Sequence, residues 1–151
     1  MSKRNNIISN IIENLKLIDG EVSSFDNSYT YTQSVFNNVY RGFKFFDSIN
    51  DFPSIYVLGG VEQRIYNSAN LVEGIMPINI RFFHKSDNTR NEVNDLLEDI
   101  EHVIYNIPDN PDQGIEDIII ESMSTDEGLF QNEDGGGYGL GELTLIVRYV
   151  L

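Results

Sequence analysis

The sequence predicts an α+β fold: one mainly antiparallel β-sheet with two principal helices packed on it, in a single domain spanning residues 1–151. Three observations carry this prediction. Two segments repeat apolar residues at helical spacing, and several β-rich runs between and after them alternate with period two. The chain of 151 residues, 40% apolar and 11% aromatic, is long enough for one sizeable core and short for two domains around a cleft.

In chain order, Ile7, Ile8, Ile11, Ile12, Leu15 and Ile18 form a helical stripe with Gly20 just beyond it, so a first helix is expected over residues 5–19. Residues 21–50 are rich in Asn, Ser and Tyr, with short alternating pieces at residues 29–31 and 39–45. Ile55, Tyr56, Val57 and Leu58 lie between Pro53 and Gly59-Gly60 and read as a strand covered on both faces, central in the sheet. Residues 61–66 read as its continuation after a Gly-Gly bulge or turn. The next strand, residues 75–84, puts Ile78, Ile80 and Phe82 on one face and Asn79, Arg81 and Phe83 on the other. Pro77 there should mark a strand start or an edge, because it has no N–H to donate.

Thr89 with Glu92 three residues on fits a capping box opening a second helix, which ends before Pro108. Its apolar stripe is Val93, Leu96, Leu97, Ile100, Val103 and Ile104. Asp95, Glu98, Asp99, Glu101 and His102 are expected on its wet side, with His102 and Glu98 an exposed i,i+4 pair. Truncating Leu97 or Ile100 should therefore cost about 2 to 5 kcal/mol, and His102 little. Residues 118–123 and 143–151 read as the last two strands. Residues 131–139, with Glu133, Asp134 and three consecutive glycines, read as a mobile connection.

Charge narrows the function. The chain has 24 acidic and 10 basic residues, a net charge of −14. All of the excess falls in residues 86–134, where Arg90 is the one base. Binding to a phosphate backbone is driven by Lys and Arg, so this balance argues against it and predicts an electrostatically one-sided surface. The simplest role for such acids is a solvated face. No apolar run approaches the roughly 20 residues that span a bilayer, and the N-terminus lacks the apolar core of a signal peptide, so a protein without a membrane association is expected.

No catalytic chemistry emerges. The absence of Cys removes thiolate nucleophiles, disulfides and thiolate metal sites. Residues 109–114 begin like a calcium loop, yet Pro111 and Gln113 occupy ligand positions and Ile120 stands where the bidentate Glu belongs. The glycines of residues 135–141 match no nucleotide-binding spacing and lead into a strand. Glu116, Asp117 and Glu121 could pair as carboxylates, as any acidic sequence allows. The reading is no enzyme, no cofactor and no metal.

Phe36-Asn37-Asn38-Val39-Tyr40, Asp51-Phe52-Pro53, Ser122-Met123-Ser124-Thr125-Asp126-Glu127-Gly128, Gly141-Glu142 and Val147-Arg148-Tyr149 occur in an order and spacing that resemble a known family. The chain looks like the tail terminator proteins of tailed bacteriophages, especially long flexible-tailed ones. The resemblance implies a virion protein assembled in the host cytoplasm and placed at the head-proximal end of the tail. There a homohexameric ring would cap the tail-tube protein, end tube growth and offer a docking face to the head-completion or connector protein, with genome DNA passing through unbound. It also implies partner-binding roles for Ser124, Thr125, Asp126, Glu127 and Gly128, which read physically as a Ser/Thr/Asp turn leaving a strand. The acidic, glycine-rich residues 131–137 depart from the family pattern.

Two expectations follow for such a ring. A sheet edge and the aromatic residues between Tyr29 and Phe46 should bury against the next copy, head to tail. Glu98, Asp99 and Glu101 should either line the lumen, repelling DNA phosphates, or dock on a basic patch of the adjoining ring. A related neck or tail-completion protein, a small acidic enzyme and a soluble binding domain are the alternatives.

Overall fold

The computed structural model describes residues 2–67, 71–107, 115–126 and 137–151. Helix α1 spans Lys3–Leu15 and α2 spans Thr89–Asn106; the strands are β1 Val39–Arg41, β2 Ser54–Gly59, β3 Gln63–Tyr66, β4 Val72–Ser86, β5 Ile115–Asp126 and β6 Gly137–Val150. They form one six-stranded sheet in the order β1-β2-β4-β6-β5, with β3 also paired to β4. Among the described residues, only the short β1–β2 pairing is parallel. The expected α+β class, with two helices on a mainly antiparallel sheet, is what the chain adopts.

Both helices lie on one face of that sheet. Ile7, Ile8, Ile11 and Leu15 of α1 and Val93, Leu96, Ile100, Val103 and Ile104 of α2 pack on Ile55, Val57, Met76, Ile78, Ile80, Phe82, Leu143, Leu145 and Val147. These strand residues are every second one along β2, β4 and β6, so a single period-two pattern builds the whole floor of the core. Where α2 and the aromatic rings press closest, side chains are absent: a Cβ on Gly141 would lie 1.9 Å from the Phe82 ring, and one on Gly139 would lie 2.6 Å from Thr89 Cγ2. Ile100 is fully buried, whereas Leu97 is only partly covered, so the expected stripe holds with Leu97 at its margin.

Several boundaries move for identifiable reasons. The helix α1 ends at Leu15 rather than near Asp19 because Leu17 N and Ile18 N bond to Asn14 O and Leu15 O, a 3₁₀-type tightening that still delivers Ile18 to the core. The expected capping box is not formed. Asn88 is the N-cap, and the Thr89 hydroxyl accepts from Ser86 N at 2.9 Å and lies 2.7 Å from the Gly137 carbonyl, tying the end of β4 to the start of β6. Glu92 bonds the Ser86 hydroxyl instead of the cap.

Residues 137–139, expected in a mobile connection, already belong to β6 and pair with Ser86, Lys85 and His84. The strand at 55–58 is inner and covered on both faces through Val57, as expected, although it is second from an edge rather than central. β3 does continue β2 along the same side of β4, after an irregularity at residues 60–62. Pro77 sits inside β4, neither at its start nor at an edge. Its carbonyl accepts from Gly60 N at 2.8 Å, so its missing N–H faces that same irregularity, where no donor is needed.

Residues 19–35, between α1 and β1, form an arm held by two isolated bridges, Asp19 with Ser34 and Val22 with Thr30. After β1 the chain crosses to the sheet's other face, where Phe43, Ile49 and Phe52 pack with Tyr56, Phe83 and Leu140. Residues 109–114 and 131–134, and with them the turn and the acidic stretch expected there, lie outside the described residues, as do Glu127 and Gly128.

Candidate interaction surface

The face of the sheet that carries no helix is a mosaic. Toward β1 it is covered by the Phe43–Phe52 segment; elsewhere its side chains pair with one another across the strands. Asn79 accepts from the Thr144 hydroxyl at 3.0 Å, Arg81 lies 3.5 Å from Glu142, and Arg148 lies 3.8 Å from Glu73. Between these polar rungs, Val61, Gln63, Ile75, Pro77 and Ile146 line a shallow groove of about 300 Å³. Closer to the β1 edge, Phe43, Lys44, Phe45, Ser48 and Arg81 line a larger cleft of about 480 Å³. Its two cations sit on aromatic faces, Arg81 over Phe43 at 4.3 Å and Lys44 over Tyr40 at 5.5 Å.

Ser124, Thr125 and Asp126 are not in a turn: all three belong to β5, which stays extended because its partners in β6 run on to Leu140. Alternation divides them. Ser124 and Asp126 stand opposite Glu142 and Leu140 on the helix-free face, while Thr125 stands opposite Gly141 and donates its hydroxyl to Asn94 of α2 at 3.0 Å. The candidate set is thus split between two faces, with Thr125 serving the attachment of β5 to the helix.

The three acids of α2 also separate. Glu98 is exposed and Glu101 half-buried, but Asp99 is fully buried and cannot line a lumen or meet a docking partner. The arm covers it. Tyr29 donates its hydroxyl to Asp99 Oδ1 at 2.8 Å, and the backbone N–H groups of Thr32 and Gln33 donate to Oδ2 at 3.1 and 2.9 Å. Burial lifts the Asp99 carboxyl above its ordinary range, and these donors pull it part of the way back. The same burial, with the bond to Asp99, raises the Tyr29 phenol and keeps it protonated.

His102 belongs to this clasp and not to an exposed pair with Glu98. Its ring stacks on Tyr29 with centroids 3.9 Å apart, and Nε2 meets Ser23 Oγ at 2.8 Å. Burial holds His102 below its usual range despite Asp26 and Asp99. Gln33 completes the fastening, with its side-chain oxygen 2.9 Å from Nε2 of the buried His84. Ser23, Tyr29, Thr32 and Gln33 were not legible as functional residues; the arm's Asn, Ser and Tyr content gives no periodic signal.

The aromatics expected at the interface, between Tyr29 and Phe46, therefore divide as well. Tyr31 is buried and Tyr29 half-buried within the subunit, while Phe36 and Phe45 stand 72% and 84% exposed. Phe36 and Asn37 also hold left-handed backbone, φ +50° and +63°, at the turn into β1. That conformation is costly for a ring side chain and aims Phe36 at solvent.

This architecture is set against known proteins by sequence and by shape. A family described as bacteriophage tail tube terminator protein matches residues 1–151, the whole chain. The chain belongs to the bacteriophage tail tube terminator family. Among solved structures, a chain of the virion of a native gene transfer agent particle shares the fold, with a TM-score of 0.51 at 8% identity over 93% of this chain and 92% of that one. No curated relative matches in sequence. Family membership makes the chain a structural component of a phage tail.

Proposed function

We propose that the chain caps the phage tail tube as a hexameric ring, ends tube polymerisation and provides the docking face for the head connector. The observation that carries this reading is the family match along the entire chain, because it covers the whole fold and not an appended module. The shape agrees with it. With both helices on one face, each subunit keeps part of a second face and the outer edge of β5 for contact with neighbours.

Within that ring, Ser124 and Asp126 are assigned to partner contact on the helix-free face, and Glu98 with Glu101 to the lumen or the docking plane. Asp99 is withdrawn from that role by its burial. Adding the purified chain to polymerising tail-tube protein tests the function. Growth should stop at lengths that shorten as the chain's concentration rises, with the chain bound at one tube end. Tubes that lengthen unchanged, with the chain unbound, would exclude it. Replacing Glu98 and Glu101 with Gln then separates the two placements: slowed DNA ejection with normal docking supports the lumen, and lost docking supports the interface.

A further inference from the structure

We propose that the aromatic, cationic cleft at the β1 side of one subunit receives the acidic β5 edge of a second copy, and that this is the lateral contact of the ring. The inference rests on the ring reading above and names the surfaces that build it. The cleft lies on the helix-free face, between the loop that follows β1 and Arg81 in the middle of β4, whereas β5 is the last strand of the order and forms one margin of the sheet. A contact between two such different surfaces is head to tail. It leaves each subunit with one free surface of each kind until the ring closes.

The two surfaces are complementary in chemistry. The cleft's lining side chains are Phe43, Lys44, Phe45, Ser48 and Arg81; Arg81 is already paired with Glu142 at 3.5 Å, which leaves Lys44 as the cation the cleft offers, and its aromatic floor is partly open to solvent. β5 carries Glu116, Asp117, Glu121 and Asp126 and no base, with Ile119 and Met123 56% and 46% exposed among them. An acidic edge with an exposed apolar side chain is what a cationic aromatic cleft accepts: Ile119, opposite Ile146 on the helix-free face, covers the rings while the neighbouring carboxylates meet Lys44. β5 itself is twelve residues long, and among the described residues no strand pairs with its outer edge. Edge acids alone would serve to deter promiscuous pairing. That purpose does not call for an exposed lysine beside an exposed phenylalanine on the helix-free face.

Because the chain contains no cysteine, single thiols can report the contact. Lys44→Cys and Glu121→Cys, both at exposed positions, are assembled on tail tubes and oxidised. A disulfide-linked dimer is expected from the mixture of the two variants and from neither alone, and the double variant should give a ladder ending in a closed covalent ring. Rings visible on the tubes with no Lys44→Cys to Glu121→Cys linkage would overturn the proposal and leave the ring intact. A dimer from either variant alone would show a like-to-like contact and overturn it too. Tubes bearing no ring of the unmodified chain would remove the ring reading itself.

Discussion

Asp99 shows what a single residue can hide. The helical pattern of α2 places it among Asp95, Glu98 and Glu101, yet it follows Leu96 by three residues and precedes Val103 by four, which sets it at the border of the apolar stripe. Whether a border position is wet depends on what else packs there, and the covering arm is 64 or more residues away in sequence. Its four bonds to the arm make Asp99 a fastening. Asp99→Ala strands the buried donors of Tyr29, Thr32 and Gln33 and should cost about 3 kcal/mol in denaturant unfolding, while Glu98→Gln should cost almost nothing. Equal effects would mean that the arm does not rest on α2. Phe36 predicts the opposite sign. Asn tolerates the left-handed backbone that Phe36 now occupies, so Phe36→Asn should raise stability by up to about 1 kcal/mol. A loss of stability would show that the exposed ring packs within the subunit after all.

At the scale of elements, the apolar patterns located both helices and the strands β2, β4, β5 and β6. They missed what depends on contacts between elements: the shortened α1, the displaced cap of α2, the extension of β5 through the Ser-Thr-Asp sequence, and the strand formed by Gly137 to Gly139. Glycine there looked like looseness, but close approach to Thr89 and Phe82 is its reason. Gly141→Ala should accordingly destabilise the fold by about 1 to 3 kcal/mol in thermal unfolding, because the added carbon meets Phe82 from the directly opposite position of β4. An unchanged midpoint would place Phe82 elsewhere.

The elements that clasp the arm also set a pH dependence. Burial depresses His84 and His102 below their ordinary value of about 6.5, Glu92 and Asp95 opposing it at His84 and Asp26 and Asp99 at His102. The unfolded chain therefore binds their protons more readily than the folded one. Their contribution to stability is fully present above about pH 6.5 and is lost as pH falls through the lower folded values. Asp99, raised in the fold, acts in the other direction, favouring the folded state as it protonates. Unfolding free energy should thus decline on the acid side of neutrality, and a His84→Gln, His102→Gln double variant should lose most of that slope whatever its absolute stability. An unaltered slope would assign the dependence to other groups.

For the whole molecule, charge and fold class were legible because both are sums over many residues. The described part of the acidic third forms α2 and β5, with α2 packed on β6, β4 and β5 and β5 the margin farthest from β1. The interaction surfaces were legible only in part. The resemblance singled out Ser124 to Gly128, whereas the cleft of Phe43, Lys44, Phe45 and Arg81 joins a loop to the middle of β4 and has no signature in the linear sequence. Termination, on this account, is a property of the assembled ring and not of any catalytic group. Imaging of tails assembled with and without the chain tests that claim most directly. The account predicts a six-fold ring of this protein at one end of each tube, facing the head, and tubes of uncontrolled length in its absence. Tubes of normal length without the chain, or the chain found along the tube wall or at the distal tip, would contradict it.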